Sequence, residues 1–148
     1  MWMTEAGLFK GISQRAVKKI GGECIDESYE QGSAIFKAGE EANFFYILAE
    51  GTVEVSAGAR QSIQFTVSRP GAVVGLSALV EPYRYNTSAS ARTFVRAVKV
   101  PREAIEQVLK KYPEDGLLIL RHLISLMAQR LVDAYEYVTP EAVLLRVP

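Results

Sequence analysis

The sequence predicts a mainly β domain, an antiparallel sandwich or barrel of about eight short strands flanked by helices, and three observations carry that reading. Between Glu23 and Val100 apolar residues alternate with polar ones in short runs: Val53 and Val55 with Thr52, Glu54 and Ser56, then Ile63, Phe65 and Val67 with Ser62, Gln64, Thr66 and Ser68. Turn dipeptides break the same stretch at Gln31-Gly32, Ala38-Gly39, Glu50-Gly51, Ala57-Gly58 and Pro70-Gly71. On either side of it the apolar spacing changes from two to three-and-four, the period of a helix.

The elements follow in chain order. Residues 1–22 form a helical segment, because Phe9, Ile12, Ala16, Val17 and Ile20 recur at helical spacing, Ser13 is placed to cap its second half, and Gly21-Gly22 stops it. Residues 23–100 hold the strands. Pro101 opens the next helix as its first helical residue, where a missing N–H costs nothing, and Ile105, Val108, Leu109 and Tyr112 make its buried stripe. Pro113 ends that helix and starts another, with Glu114 and Asp115 at the positive end of its macrodipole. This last helix is expected to reach Val138, about 25 residues or about 37 Å. Residues 101–138 thus form a helical pair, and 139–148 a tail of the same single domain.

The last helix is longer than one small domain needs. Leu117, Leu120, Ile124, Met127, Leu131, Ala134 and Val138 alternate three and four apart, the seam of a coiled coil, and a second row of Ile119, Leu123 and Leu126 lies beside it. One row packs on the parent domain. The other is expected to meet the same helix of a second copy, so Leu120, Ile124, Met127, Leu131 and Ala134 are the expected homodimer interface.

Composition bounds the partners. The 148 residues suffice for one core, and 49% hydrophobic with 23% charged residues is a globular balance. Seventeen basic and seventeen acidic residues cancel, so no overall field draws the chain to nucleic acid or anionic lipid. Cys24 is the only cysteine, which excludes an internal disulfide, fits a reducing compartment and reads as a core residue. Met1 to Phe9 lacks the basic leader and apolar run of a signal peptide, and no apolar run, Leu117 to Leu120 included, is long enough to span a bilayer. A cytoplasmic protein is expected.

The run from Ile35 to Val55 resembles the front half of the cyclic-nucleotide-binding domain: a Gly39-Glu40 turn, the strand Phe45, Tyr46, Ile47 and Leu48, then Gly51 and the Val53/Val55 strand. The likeness continues through Pro70-Gly71, Gly75, the strand pair from Thr87 to Val100, and Pro101-Arg102-Glu103 at the start of the family's B helix. The final helix is similar to the dimer-forming C helix of the catabolite activator branch. This resemblance implies an antiparallel β-roll, or jelly roll (double-stranded β-helix), with an N-terminal helix and C-terminal B and C helices. It also implies a ligand inside the roll, held by a phosphate-binding cassette, here Gly71 to Ala89. In the family a short helix offers backbone donors to the cyclic phosphate, an arginine supplies positive charge, and a glutamate accepts from the ribose hydroxyl.

This chain departs from that pattern. Leu76 stands where the family has the glutamate, and Thr87-Ser88-Ala89 where it has Arg-Ser-Ala; Ala134 and Tyr135 replace a Thr-Ser pair on the C helix. Hydrogen bonds to charged groups contribute about 1.5 to 3 kcal/mol each, so losing two removes roughly two to four powers of ten in affinity. Arg84, three residues before Thr87, is the cation with the reach to swing into the vacated place. Arg92 lies about 16 Å along a strand and faces the other way. Gly75, Ser77 and Ala78 at the start of the short helix, with Ser88, are the expected anion contacts; Thr87, Leu76 and Arg84 complete the candidate ligand site, and Tyr83, Tyr85 and Tyr135 are candidates to fill it.

Two readings stand at this point. One is a non-catalytic sensor of a cyclic nucleotide or related small anion, with no other cofactor and no metal. The other is a degenerate domain kept as a dimerisation or protein-interaction module. An enzyme is not expected: His122 is the only histidine, read as a solvated or interface residue, and no P-loop, G-x-S-x-G or paired cysteines appear. Nor is nucleic-acid binding expected, because Thr139 to Pro148 is too short for two helices and holds one basic residue, Arg146. Its apolar stretch Ala142 to Leu145 is an alternative contact for a protein partner.

Overall fold

A computed structural model describes residues 7–57 and 63–136. A single 3-10 turn, Gly7–Phe9, precedes helix α1, Gln14–Gly21. Ser13 caps α1, its hydroxyl accepting from the Ala16 amide at 3.3 Å, and Gly22 closes it. Eight strands follow: β1 Ile25–Tyr29, β2 Ala34–Phe36, β3 Phe44–Glu50, β4 Val53–Ala57, β5 Ile63–Val67, β6 Val73–Val74, β7 Thr87–Ala91 and β8 Val95–Pro101. They form two four-stranded antiparallel sheets, ordered β1-β8-β3-β6 and β2-β7-β4-β5. Sequence neighbours lie mostly in different places within these sheets, so the chain winds as a roll rather than a meander.

The two sheets differ in a way their sequences explain. In β4, Val53 and Val55 are buried while Glu54 and Ser56 are half-exposed, as a sheet covered on one side requires. In β3 the four residues Phe45, Tyr46, Ile47 and Leu48 are all buried, because this central strand is covered by the opposite sheet on one face and by helical residues on the other. Phe9 of the first turn reaches Phe45, ring centres 6.4 Å apart. At the outer end of β5 the alternation fails: Phe65 and Val67 are half-buried, but Ile63 is exposed.

Helix α2, Arg102–Lys111, begins one residue later than expected. Pro101 is extended (φ −72°, ψ 140°) and serves as the residue before the helix, still the register partner of Phe44 at the end of β8. Helix α3, Pro113–Glu136, packs on α2 and on the Gly7–Phe9 turn. Ile119 and Leu123 are buried and Leu126 packs against the core, whereas Leu117, Leu120, Ile124, Met127 and Leu131 are exposed, as is Ala134. Val138 and the tail lie outside the described residues, as does Gly58 of the fourth expected turn.

Two side chains of α3 fasten the front of the chain. Asp115 accepts from the Ser13 amide at 2.8 Å and from its hydroxyl at 2.6 Å. His122 is half-buried rather than solvated, its Nδ1 3.0 Å from the Leu8 carbonyl oxygen. Cys24 is half-buried at the edge of the core and its thiol donates to the Ile20 carbonyl; burial, with Asp26 and Glu23 nearby, pushes its pKa up to about 11. No helix of the described residues is long and apolar enough to cross a membrane.

Candidate ligand-binding site

Gly75 follows β6 with φ +82° and introduces a short 3-10 turn, Leu76–Leu79. Two constraints fix a glycine here. The backbone is left-handed, and a Cβ would meet the Phe36 and Tyr85 rings, each at 3.3 Å. Leu76 and Ala78 are buried. The Ala78 amide donates to the Gly75 carbonyl at 3.1 Å, so the turn's open donors are the amides of Leu76 and Ser77, which precede any intrahelical acceptor.

The other candidate residues gather around this turn but are engaged with one another. Ser77 Oγ donates to Asn86 Oδ1 at 3.1 Å and accepts from the Asn86 amide at 3.4 Å, tying the start of the cassette to its end. Thr87 pairs with Ala57 and Ser88 with Ser56 across β7 and β4, and Ser88 Oγ accepts from the Ala38 amide at 2.9 Å. Arg84 is turned away from the cassette helix: its Nη1 donates to the Gly39 carbonyl at 3.0 Å. It holds the family-like Gly39-Glu40 turn instead of occupying the place beside Thr87.

Aromatic rings fill the roll beside Gly75. Tyr85 stacks on Phe36 at 4.1 Å between centres, Phe36 on Tyr46 at 5.9 Å, and Tyr46 meets Tyr29 edge-on at 6.4 Å. Tyr85 donates its hydroxyl to the Phe44 carbonyl at 2.6 Å, which gives that buried hydroxyl a partner. Burial pushes its phenol, like that of Tyr46, above the ordinary range. Of the three tyrosines expected to fill the site, only Tyr85 does so; Tyr83 lies under the Arg102 guanidinium and Tyr135 is exposed on α3.

The sequence reading missed one residue that faces the cassette. Arg130 of α3 donates through Nη2 to the Val73 carbonyl, two residues before Gly75. Burial pushes its pKa down, with Asp133 opposing, and it takes no part in the ion pairs of the described residues, Arg96–Glu50, Lys99–Glu27 and Arg102–Glu106. The signal was present: the inward row Ile119, Leu123, Leu126 continues at the same spacing to Arg130. A guanidinium at the end of an apolar row marks where the helix stops meeting hydrocarbon and meets something polar.

Among the described residues no group of three His, Cys, Asp or Glu side chains is placed to hold a metal. A concavity of about 510 Å³ lies along the β2-β7-β4-β5 sheet, bordered by Phe36, Lys37, Glu54, Ser56, Asn86 and Ser88, so it shares Ser88 and Asn86 with the candidate site.

Comparison with known proteins agrees with this fold. The family model described as "Cyclic nucleotide-binding domain" matches residues 26–112. A CRP-like cAMP-activated global transcriptional regulator of Mycobacterium tuberculosis is 26% identical over 132 residues, which are 87% of this chain and 57% of that protein. The solved structure of a putative cyclic nucleotide-binding protein from Geobacter metallireducens superposes with a TM-score of 0.73 at 27% identity, over 84% of this chain and 91% of that one. The catabolite activator protein of Thermus thermophilus gives a TM-score of 0.71 at 25% identity, over 94% of this chain and 62% of its own. The chain therefore spans little more than half the length of the Mycobacterium regulator.

Proposed function

Because the chain belongs to the cyclic nucleotide-binding domain family, we propose that it acts as a non-catalytic cytoplasmic sensor in which a small anion, a cyclic nucleotide or a relative of one, enters the roll between the cassette turn and α3. The observation that carries this reading is Arg130. It brings a part-buried guanidinium, without a carboxylate partner in the described ion pairs, to the carbonyl of Val73, in the same cassette as the amides of Leu76 and Ser77. A carbonyl is a weaker partner than a phosphate for that group, so an anion has a charge-assisted bond to gain there. Because Arg130 belongs to α3, the gain biases the position of the helix whose exposed row is placed to pair two copies. The homodimer is part of the same proposal.

A second reading, an interaction module that binds no nucleotide, is favoured by the packing of Gly75 against Phe36 and Tyr85, the burial of Leu76, and the internal engagement of Ser77 and Ser88. Thermal melting with cyclic AMP, cyclic GMP and cyclic dinucleotides separates the two. A ligand at a hundred times its dissociation constant stabilises by about 2.7 kcal/mol, an expected rise of about 5 to 10 °C in Tm. Arg130→Met keeps length and packing and is expected to abolish that rise. No shift with any of these ligands at millimolar concentration would leave only the second reading.

A further inference from the structure

We propose that Arg102 is the positioning residue that makes the cassette and α2 move as one body, an inference that rests on the sensor reading above. Three segments converge on this side chain. Nη1 donates to the carbonyls of Ala42 at 2.7 Å and of Ala78 at 3.4 Å, and Nη2 to Asn43 Oδ1 at 3.1 Å. The guanidinium plane lies over the Tyr83 ring, 4.0 Å from its centre, and Nε is 3.5 Å from Glu106 of α2. Its own amide donates to the Asn43 carbonyl at 2.8 Å.

The arrangement uses what only arginine supplies: a planar fork that takes two carbonyls and an amide oxygen at its edges while a ring covers its face. Ala78 is in the cassette turn and Tyr83 in the loop after it, where a φ of +59° marks a conformation a tyrosine seldom adopts without outside support. Arg102 is the first residue of α2. A displacement of the cassette turn thus acts on the first turn of a helix that packs against α3, whose inward row ends at Arg130 on the same cassette. The contacts form a closed loop from cassette to α2 to α3 and back, a continuous physical route between ligand site and exposed face.

Hydrogen exchange on the full chain without ligand tests it. In the parent protein the amides of residues 76–83 and 102–108 are expected to share one protection level. In Arg102→Lys, which keeps the charge but loses the fork, exchange at 76–83 is expected to rise at least about tenfold while β3 changes by less than about twofold. Tyr83→Leu, which keeps Arg102, is expected to move the same amides in the same direction by less, and it serves if Arg102→Lys does not fold. Exchange at 76–83 within about twofold of the parent, or a rise by one common factor everywhere, overturns the proposal, since the first means no link and the second only lost stability. A second arm adds millimolar cyclic AMP: Arg102→Lys should keep the parent's Tm rise but lose its change in α3 exchange, and an unchanged α3 response also overturns it. If the parent itself shows no response to cyclic AMP, the sensor reading fails for that ligand and the ligand-free exchange decides the coupling alone.

Discussion

Two rows of side chains run along α3 at the same three-and-four spacing, and they meet opposite fates. Gly116, Ile119, Leu123, Leu126 and Arg130 face the domain; Leu117, Leu120, Ile124, Met127, Leu131 and Ala134 face away from it. Hydrophobic period is shared by both. What separates them is the exceptions. The inward row starts with a glycine, where α3 comes so near α2 that a Cβ would sit 2.6 Å from Leu109, and ends with a guanidinium, where the helix reaches the cassette. The outward row has no such break, yet Ile124 is 67% exposed. A row shaped by neighbours carries irregularities in size and polarity; the uniformly apolar row left bare is the one proposed to pair two copies.

The comparison is broken most forcefully from the inside. Ile119 is fully buried, so Ile119→Ala is expected to cost about 2 to 5 kcal/mol in urea unfolding, and a loss below about 1 kcal/mol would mean the inward row is not packed. Gly116→Ala is expected to cost about 1 to 3 kcal/mol despite alanine's better helix propensity, because the Leu109 Cα lies 2.9 Å from the new methyl and backbone cannot yield cheaply. Stability equal to the parent would show the α2–α3 approach to be looser than described. The smallest effect on unfolding is expected on the outer row: Leu131→Asp should leave the monomer within about 0.5 kcal/mol of the parent while sedimentation changes from dimer to monomer. An unchanged mass would remove the contrast between the faces.

Much of the fold was legible in the residues, and the reasons are local. Alternation in β4, the Ser13 cap and the proline at the head of α3 each follow from chemistry within a few positions. Pro101 was misplaced by one residue because a proline suits both the last extended position and the first helical one, and only its pairing with Phe44 decides. The site was less legible. Leu76 and Thr87 could be read as departures, but Tyr85 stacks beside Gly75 from within the cassette itself, and Arg130 reaches the Val73 carbonyl from the C-terminal helix, far along the chain. Arg84 was the nearer cation in sequence, yet the Gly39 carbonyl holds it. His122 shows the same limit, since its half-buried state depends on a carbonyl 114 positions earlier.

The clasp between Asp115 and Ser13 has a mechanical meaning. One carboxylate near the start of the long helix also seats the head of the first, and His122 grips Leu8 about two turns further on. A tilt of the long helix is thereby handed to the opening segment of the chain, more than a hundred positions upstream. In the proposed sensor the bare helical flank and the head of the first helix are thus joined, and a partner gripping the flank would pull on both.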